Sequence, residues 1–132
     1  MNATFWVPGV AMAILLHGTT LHRAERIKTH GPDPDFIEPG GGTRATEFST
    51  CLESGPFPLG TPEEYARRKA AGFPNEGGPA ILAGDVPDDI IALAVDEVYF
   101  PLSQGVVQFD EGAGLEELRV VWPTLTVHIR SV

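Results

Sequence analysis

The sequence predicts an α+β fold of two small, mostly antiparallel sheets packed on each other, with two or three helices. Three observations carry this expectation. Two capped helix patterns occupy the first half, a series of short strand patterns fills the second, and strand and helix do not alternate as they do in a parallel doubly wound sheet. A length of 132 residues with 42% hydrophobic side chains is enough for one sizeable core, so a single domain is expected.

The first strand pattern is Ala11 to Leu16, AMAILL. It is short and wholly apolar, as a strand buried on both faces should be, and it is expected to end at His17. The longer apolar run from Phe5 to Leu16 is read as strand, not as a signal sequence or span. It is interrupted by Pro8 and Gly9, the first positive charge is Arg23, and it falls short of the roughly 20 residues that cross a bilayer.

A turn is expected directly after His17, with Thr20 capping a helix from Leu21 to about Thr29 that stops at Gly31 and Pro32. Residues 31 to 45, with Gly40, Gly41 and Gly42 in a row, offer no apolar period and are expected to form a mobile loop. Glu47 to Thr50 make a short strand. Thr61, Pro62, Glu63 and Glu64 then form a capping box with proline at the first helical position, opening a helix over 62 to 71 that Gly72 closes. Tyr65 sits one turn in.

Strands are expected at Pro79 to Val86, Glu97 to Leu102, Gly105 to Phe109, Arg119 to Trp122 and Leu125 to Ile129, with one helical turn opened by Asp88 and Asp89.

Charge narrows the partners. With 18 acidic residues against 9 basic ones, a net charge of −9 gives no electrostatic reason to approach nucleic acid or an anionic membrane. Cys51 is the one cysteine, so no internal disulfide or thiolate cluster can form, and the cytoplasm is the default compartment. His17, His22, His30 and His128 lack metal-ligand spacing, and no metal site is expected. The triple glycine lacks the spacing of a dinucleotide turn or P-loop.

The segment His17, Gly18, Thr19, Thr20 carries the strongest site signal. Polar groups at the end of a buried strand, where a helix opens, can face a cleft: imidazole can donate to a hydroxyl, Gly18 admits close approach to the backbone, and a threonine supplies a hydroxyl or cap. The other reading is that His17 satisfies a buried carbonyl. Tyr65 is equally open between a stacking platform and a core aromatic.

LLHGTTLHRAERIKTHG, residues 15 to 31, resembles the opening strand and helix of the ADP-ribosyltransferase superfamily, whose members often read Tyr-His-Gly-Thr-Ser there. EFSTC, residues 47 to 51, is similar to the family's Gly-x-Tyr-Phe-Ser/Thr strand. The resemblance implies that NAD binds in a cleft as the substrate, with His17 on a ribose, the Gly18 backbone on the nicotinamide amide, Thr19, Phe48 and Ser49 nearby, and Tyr65 stacked on the nicotinamide. It also implies a catalytic glutamate on a later strand, which resembles SQGVVQFDEG, residues 103 to 112. Gln104 stands near the expected place, and a neutral amide cannot offset positive charge as a carboxylate does. Asp110 and Glu111 are solvated turn charges on this reading.

The resemblance therefore implies transfer of ADP-ribose to an unidentified acceptor, a protein acceptor or partner included. The alternative is a nucleotide-binding or protein-interaction module of the same fold that has lost the chemistry, or a plain structural domain. A branch with a similar opening, the RNA 2′-phosphotransferase, relies on several arginines. Arg23, Arg26, Arg44, Arg67 and Arg68 are present, but the acidity opposes RNA as substrate. Arg67, Arg68 and Lys69 are read as a solvated helix face, and Cys51 as a small buried hydrophobe in preference to a nucleophile.

Overall fold

The computed structural model describes residues 11–32 and 47–132. The start of the apolar run at Phe5 and most of the expected loop at 31 to 45 lie outside the described residues.

β1 (Met12–Thr20) is the middle of a five-stranded sheet. β2 (Glu47–Leu52) and then β4 (Val106–Asp110) lie on one side of it, and β3 (Pro79–Pro87) and then β5 (Val127–Ser131) on the other, in the order β4-β2-β1-β3-β5. Among the described residues each pairing between these strands is antiparallel. The α+β class and the antiparallel pairing are as expected, but among the described residues the strands form one sheet, not two.

Among the described residues four α-helices accompany them, where two or three were expected. α1 (Leu21–His30) follows β1 without a turn, because Thr20 is both the last strand residue and the cap whose hydroxyl accepts from the Arg23 amide. α2 (Pro62–Gly72) opens with the predicted reciprocal box between Thr61 and Glu64. α3 (Asp88–Ile91) is the single turn that the two aspartates start, and α4 (Leu115–Val121) follows β4.

Strand alternation divides the core into two clusters. Leu15, Leu82, Val86, Phe48, Val107 and Phe109 face α1 through Ala24 and Ile27, and face Leu115, Leu118 and Trp122 at the other end of that layer. Leu16, Ile81 and Ala83 pack on the opposite side against Ala66 of α2. The sheet is thus covered on both faces, which explains the continuous apolar run of β1.

Three expectations require correction. Arg119 to Trp122 is not a strand: Leu115, Leu118 and Trp122 recur at helical spacing and all three are buried, so the 3.6-residue period outweighs the β-propensity of Val120, Val121 and Trp122. Glu97 to Leu102 is not a strand either, since Val98 and Tyr99 are 89% and 78% exposed and have no buried face to pack. The last strand begins at Val127 rather than Leu125, because a 3-10 turn over Trp122–Thr124 runs into Leu125.

The start of α1 is tied to the segment after α2 by a partly buried ion pair. Arg23 Nε donates to Glu76 Oε1 at 2.7 Å, the Thr20 hydroxyl donates to the same oxygen at 2.9 Å, and the guanidinium lies 4.0 Å over the Phe73 ring. The hydrogen bond from Arg23, with a smaller contribution from Thr20, holds the Glu76 carboxyl below the usual glutamate range. A depressed folded-state pKa adds stability above the unfolded value, and that stability is lost as pH falls through the folded value. Glu76→Gln is therefore expected to melt below the native chain at neutral pH, with the gap closing as pH drops below about 4.3, the ordinary glutamate value. A gap that persists undiminished in acid would assign the loss to something other than the charge.

Candidate functional site

A cleft of about 590 Å³ opens between α2 and the face of β1, β2 and β4 on which Leu16 lies. Its volume lies within the range of small-molecule sites. The continuous register of β1 with β3, from Met12↔Pro87 to Thr20↔Pro79, keeps His17 to Thr20 inside the strand rather than after it. Their side chains consequently alternate between faces, and the polar quartet does not act as one unit.

The ladder between β1 and β2 holds Leu15↔Leu52 and Leu16↔Cys51. Beyond it the His17 ring bridges the two strands, Nδ1 donating to the Ser49 carbonyl at 2.6 Å. A carbonyl only accepts, so Nδ1 carries the proton. The ring lies 4.7 Å from that of Phe48 and is 8% exposed. His17 thus satisfies a buried carbonyl, and although the residue borders the cleft, its side chain starts from the face of β1 shared by Leu15 and Leu82 and packs on Phe48, opposite Leu16 and Gly18.

Gly18 lines the cleft as well, but its need for glycine is set by α2. A Cβ there would meet the Pro62 carbonyl oxygen at 2.2 Å and the Ala66 nitrogen at 2.9 Å. Absence of a side chain lets the first turn of the helix lie on the strand. Tyr65, one turn into α2, is no core aromatic: it is 39% exposed, its hydroxyl donates to the Leu59 carbonyl at 2.7 Å, and the Arg68 guanidinium covers one ring face at 4.7 Å.

His17, Gly18, Ser49 and Tyr65 are brought together in this cleft. Three other residues singled out in the sequence are not. Thr19 is fully buried within the sheet layer. Phe48 is 2% exposed and packs edge-on to Trp122 in the core of the opposite face. Gln104 is exposed on a 3-10 turn over Leu102–Gln104, because Gly105 (φ +80°) ends that turn and β4 starts only at Val106. Asp110 and Glu111 also lie outside the cleft lining.

Two residues that sequence reasoning passed over take their place. The register Ser49↔Gln108 across β2 and β4 brings Gln108 into the cleft, where it is 3% exposed and its Oε1 accepts from the Ser49 hydroxyl at 3.0 Å. Glu47, two residues before Ser49 on the same face of β2, lines the cleft at 9% exposure. Period-two alternation was the available signal: Glu47, Ser49 and Cys51 share a face, as do Val106, Gln108 and Asp110. Arg68 and Lys69 line the cleft too, so the basic cluster on α2 is not wholly a solvated face.

Cys51 borders the cleft with its thiol directed at the Leu16 carbonyl, 3.8 Å away. Burial first, and Glu63 second, push that thiol up to about 11. A thiol held that high is protonated at neutral pH, which favours the small buried hydrophobe over the nucleophile.

No family model matches the chain, and neither the curated proteins nor the solved structures compared with it gave a match. No helix among the described residues is long and apolar enough to cross a membrane.

Proposed function

We propose that the cleft binds NAD and that the chain transfers ADP-ribose from it to an acceptor. The observation that carries this reading is the meeting of His17, Gly18, Ser49 and Tyr65, named from the sequence for a dinucleotide, in one open cleft. The cations Arg68 and Lys69 in the same lining suit the phosphates of such a ligand. Phe57 and Phe100 add apolar walls.

A second reading is favoured by Gln104, which is exposed away from the cleft. Without a carboxylate at that place, the chain is a nucleotide-binding module with no transfer chemistry. Labelled NAD separates the two: release of nicotinamide with labelled acceptor supports transfer, and binding without release supports the module.

His17→Ala tests the site itself. Losing one hydrogen bond to a ribose should cost about 0.5–1.5 kcal/mol, up to roughly tenfold in NAD affinity by calorimetric titration. Because the ring also bonds Ser49 and packs on Phe48, the same substitution is expected to lower stability by about 1–3 kcal/mol. Unchanged NAD affinity in a folded His17→Ala protein would return His17 to a purely structural role. Absence of NAD binding by the native chain would remove the proposal.

A further inference from the structure

We infer that the β4 end of the cleft is a subsite for a planar heteroaromatic ring with an uncharged hydrogen-bond acceptor, which the side-chain amide of Gln108 binds. The inference rests on the NAD reading above and deepens it, since NAD carries two such rings.

Backbone contacts gather the parts of this subsite. Val106 and Gln108 stand two apart on β4 and share the cleft face, with Gln108 opposite Ser49. The Val106 amide donates to the Pro101 carbonyl at 3.3 Å, which holds the adjacent Phe100 at the start of the strand. The chain just before Phe57 is equally close, for a Cβ on Gly105 would meet the Gly55 carbonyl oxygen at 3.2 Å. Phe57 and Phe100 are both half-buried and line the cleft. The result is an apolar, aromatic end with one polar group in its floor.

That polar group has half of its bonding capacity unused. Gln108 is 3% exposed, and its Oε1 accepts from the Ser49 hydroxyl at 3.0 Å. The end left over is the nitrogen, a donor. Among the described residues nothing accepts from Nε2. Nor is the atom sealed in the interior, as Thr19 Oγ1 and Arg23 Nη1 are, so it keeps access to the cleft. A covered donor without a partner costs free energy, and an acceptor on a ligand supplies the missing bond.

The surroundings decide which kind of acceptor fits. Arg68 and Lys69 ride on α2, so an anionic group belongs to that wall. At the β4 end, Val106, Phe57 and Phe100 offer apolar faces that suit a flat ring, and a neutral amide N–H pairs with a ring nitrogen or a carbonyl oxygen without burial of a charge. Nicotinamide presents its carboxamide oxygen and adenine its ring nitrogens, and both belong to this class.

Substitutions on the full chain test the subsite. Gln108→Met keeps the reach of the side chain and removes the donor, whereas Gln108→Glu keeps an acceptor for the Ser49 hydroxyl and puts a second acceptor where the donor was. By calorimetric titration NAD is expected to bind about tenfold more weakly to the first, and more weakly still to the second. Nicotinamide and AMP, titrated separately by NMR chemical shift, identify the ring: the one seated on Gln108 is expected to weaken by the same factor in Gln108→Met while the other keeps its native affinity. Phe100→Ala, at a half-buried position outside the strands, alters the wall without touching the sheet and is expected to weaken the same fragment, so the test does not depend on a variant of β4 folding. If the folded variants bind NAD as the native chain does, or if both fragments weaken alike or neither responds, the subsite is overturned and the NAD reading stands. If the native chain binds no NAD, both are overturned.

Discussion

Gly18→Ala is expected to destabilise the protein by about 3 kcal/mol, at the upper end of overpacking effects. The reason is the chemistry of what the new methyl would meet. The Pro62 carbonyl oxygen at 2.2 Å and the Ala66 nitrogen at 2.9 Å are backbone atoms of α2, which cannot rotate aside as a side-chain tip can. Relief requires the helix to lift off β1 and β3, opening the packing of Ala66 on Leu16, Ile81 and Ala83. For a domain of this size the loss should lower the melting temperature by about 10 °C. The cleft should also widen, since Tyr65, Arg68 and Lys69 ride on the same helix. A protein that melts like the native chain yet binds ligand more weakly would show that Gly18 serves the ligand rather than the helix.

Phe109→Ala should cost more, about 3–5 kcal/mol, as expected for removal of a fully buried aromatic. Phe109 is 0% exposed, pairs with Phe48 across β2 and β4, and belongs to the cluster with Leu115 and Leu118. The packing around it is close enough that a Cβ on Gly114 would lie 2.9 Å from its ring. Against a total stability of about 5–15 kcal/mol typical of native domains, this places the variant near the unfolding threshold. Urea unfolding should show a lower midpoint with an unchanged slope. Val98→Ala, at a position 89% exposed, should shift the midpoint little, by within about 0.5 kcal/mol. Equal shifts at the two positions would contradict the described core.

Local chemistry makes several elements legible in the amino-acid sequence. The capping box at Thr61 and Glu64, the cap at Thr20, the halt at Gly31 and the turn opened by Asp88 and Asp89 all depend on atoms within four residues of one another. The apolar runs of β1 and β3 are equally legible, because burial on both faces leaves a continuous hydrophobic pattern. Where two periods compete, the sequence is ambiguous. Leu115 to Trp122 reads as strand by composition and as helix by spacing, and burial of Leu115, Leu118 and Trp122 together decides for helix.

The candidate site is legible only in part. His17, Gly18, Ser49 and Tyr65 can be named from the sequence, but the reason they meet is not local: 48 positions separate His17 from Tyr65, and only the placement of α2 on β1 brings them together. Gln104 is singled out by the resemblance, standing with Gly105 before VVQFD where the family carries its glutamate, whereas a strand shows its residues by alternation. Gln104 and Gln108 have the same parity, so what separates them is where the strand starts: β4 begins at Val106, which puts Gln108 in the ladder and Gln104 before it. The pairing Ser49↔Gln108 selects Gln108 and leaves Gln104 on a turn.

By itself, then, the sequence determined the acidity, the helix caps, the α+β class and the His-Gly-Thr segment, since each is a matter of composition or of contacts a few residues apart. Tertiary structure alone decided that the strands share one sheet in the order β4-β2-β1-β3-β5, that Glu47 and Gln108 lie in the cleft, and that Thr19 and Phe48 do not. Those facts follow from pairing between strands as distant in sequence as β2 and β4, and pairing energy is nearly the same for adjacent registers until side chains from the whole chain fill the two faces.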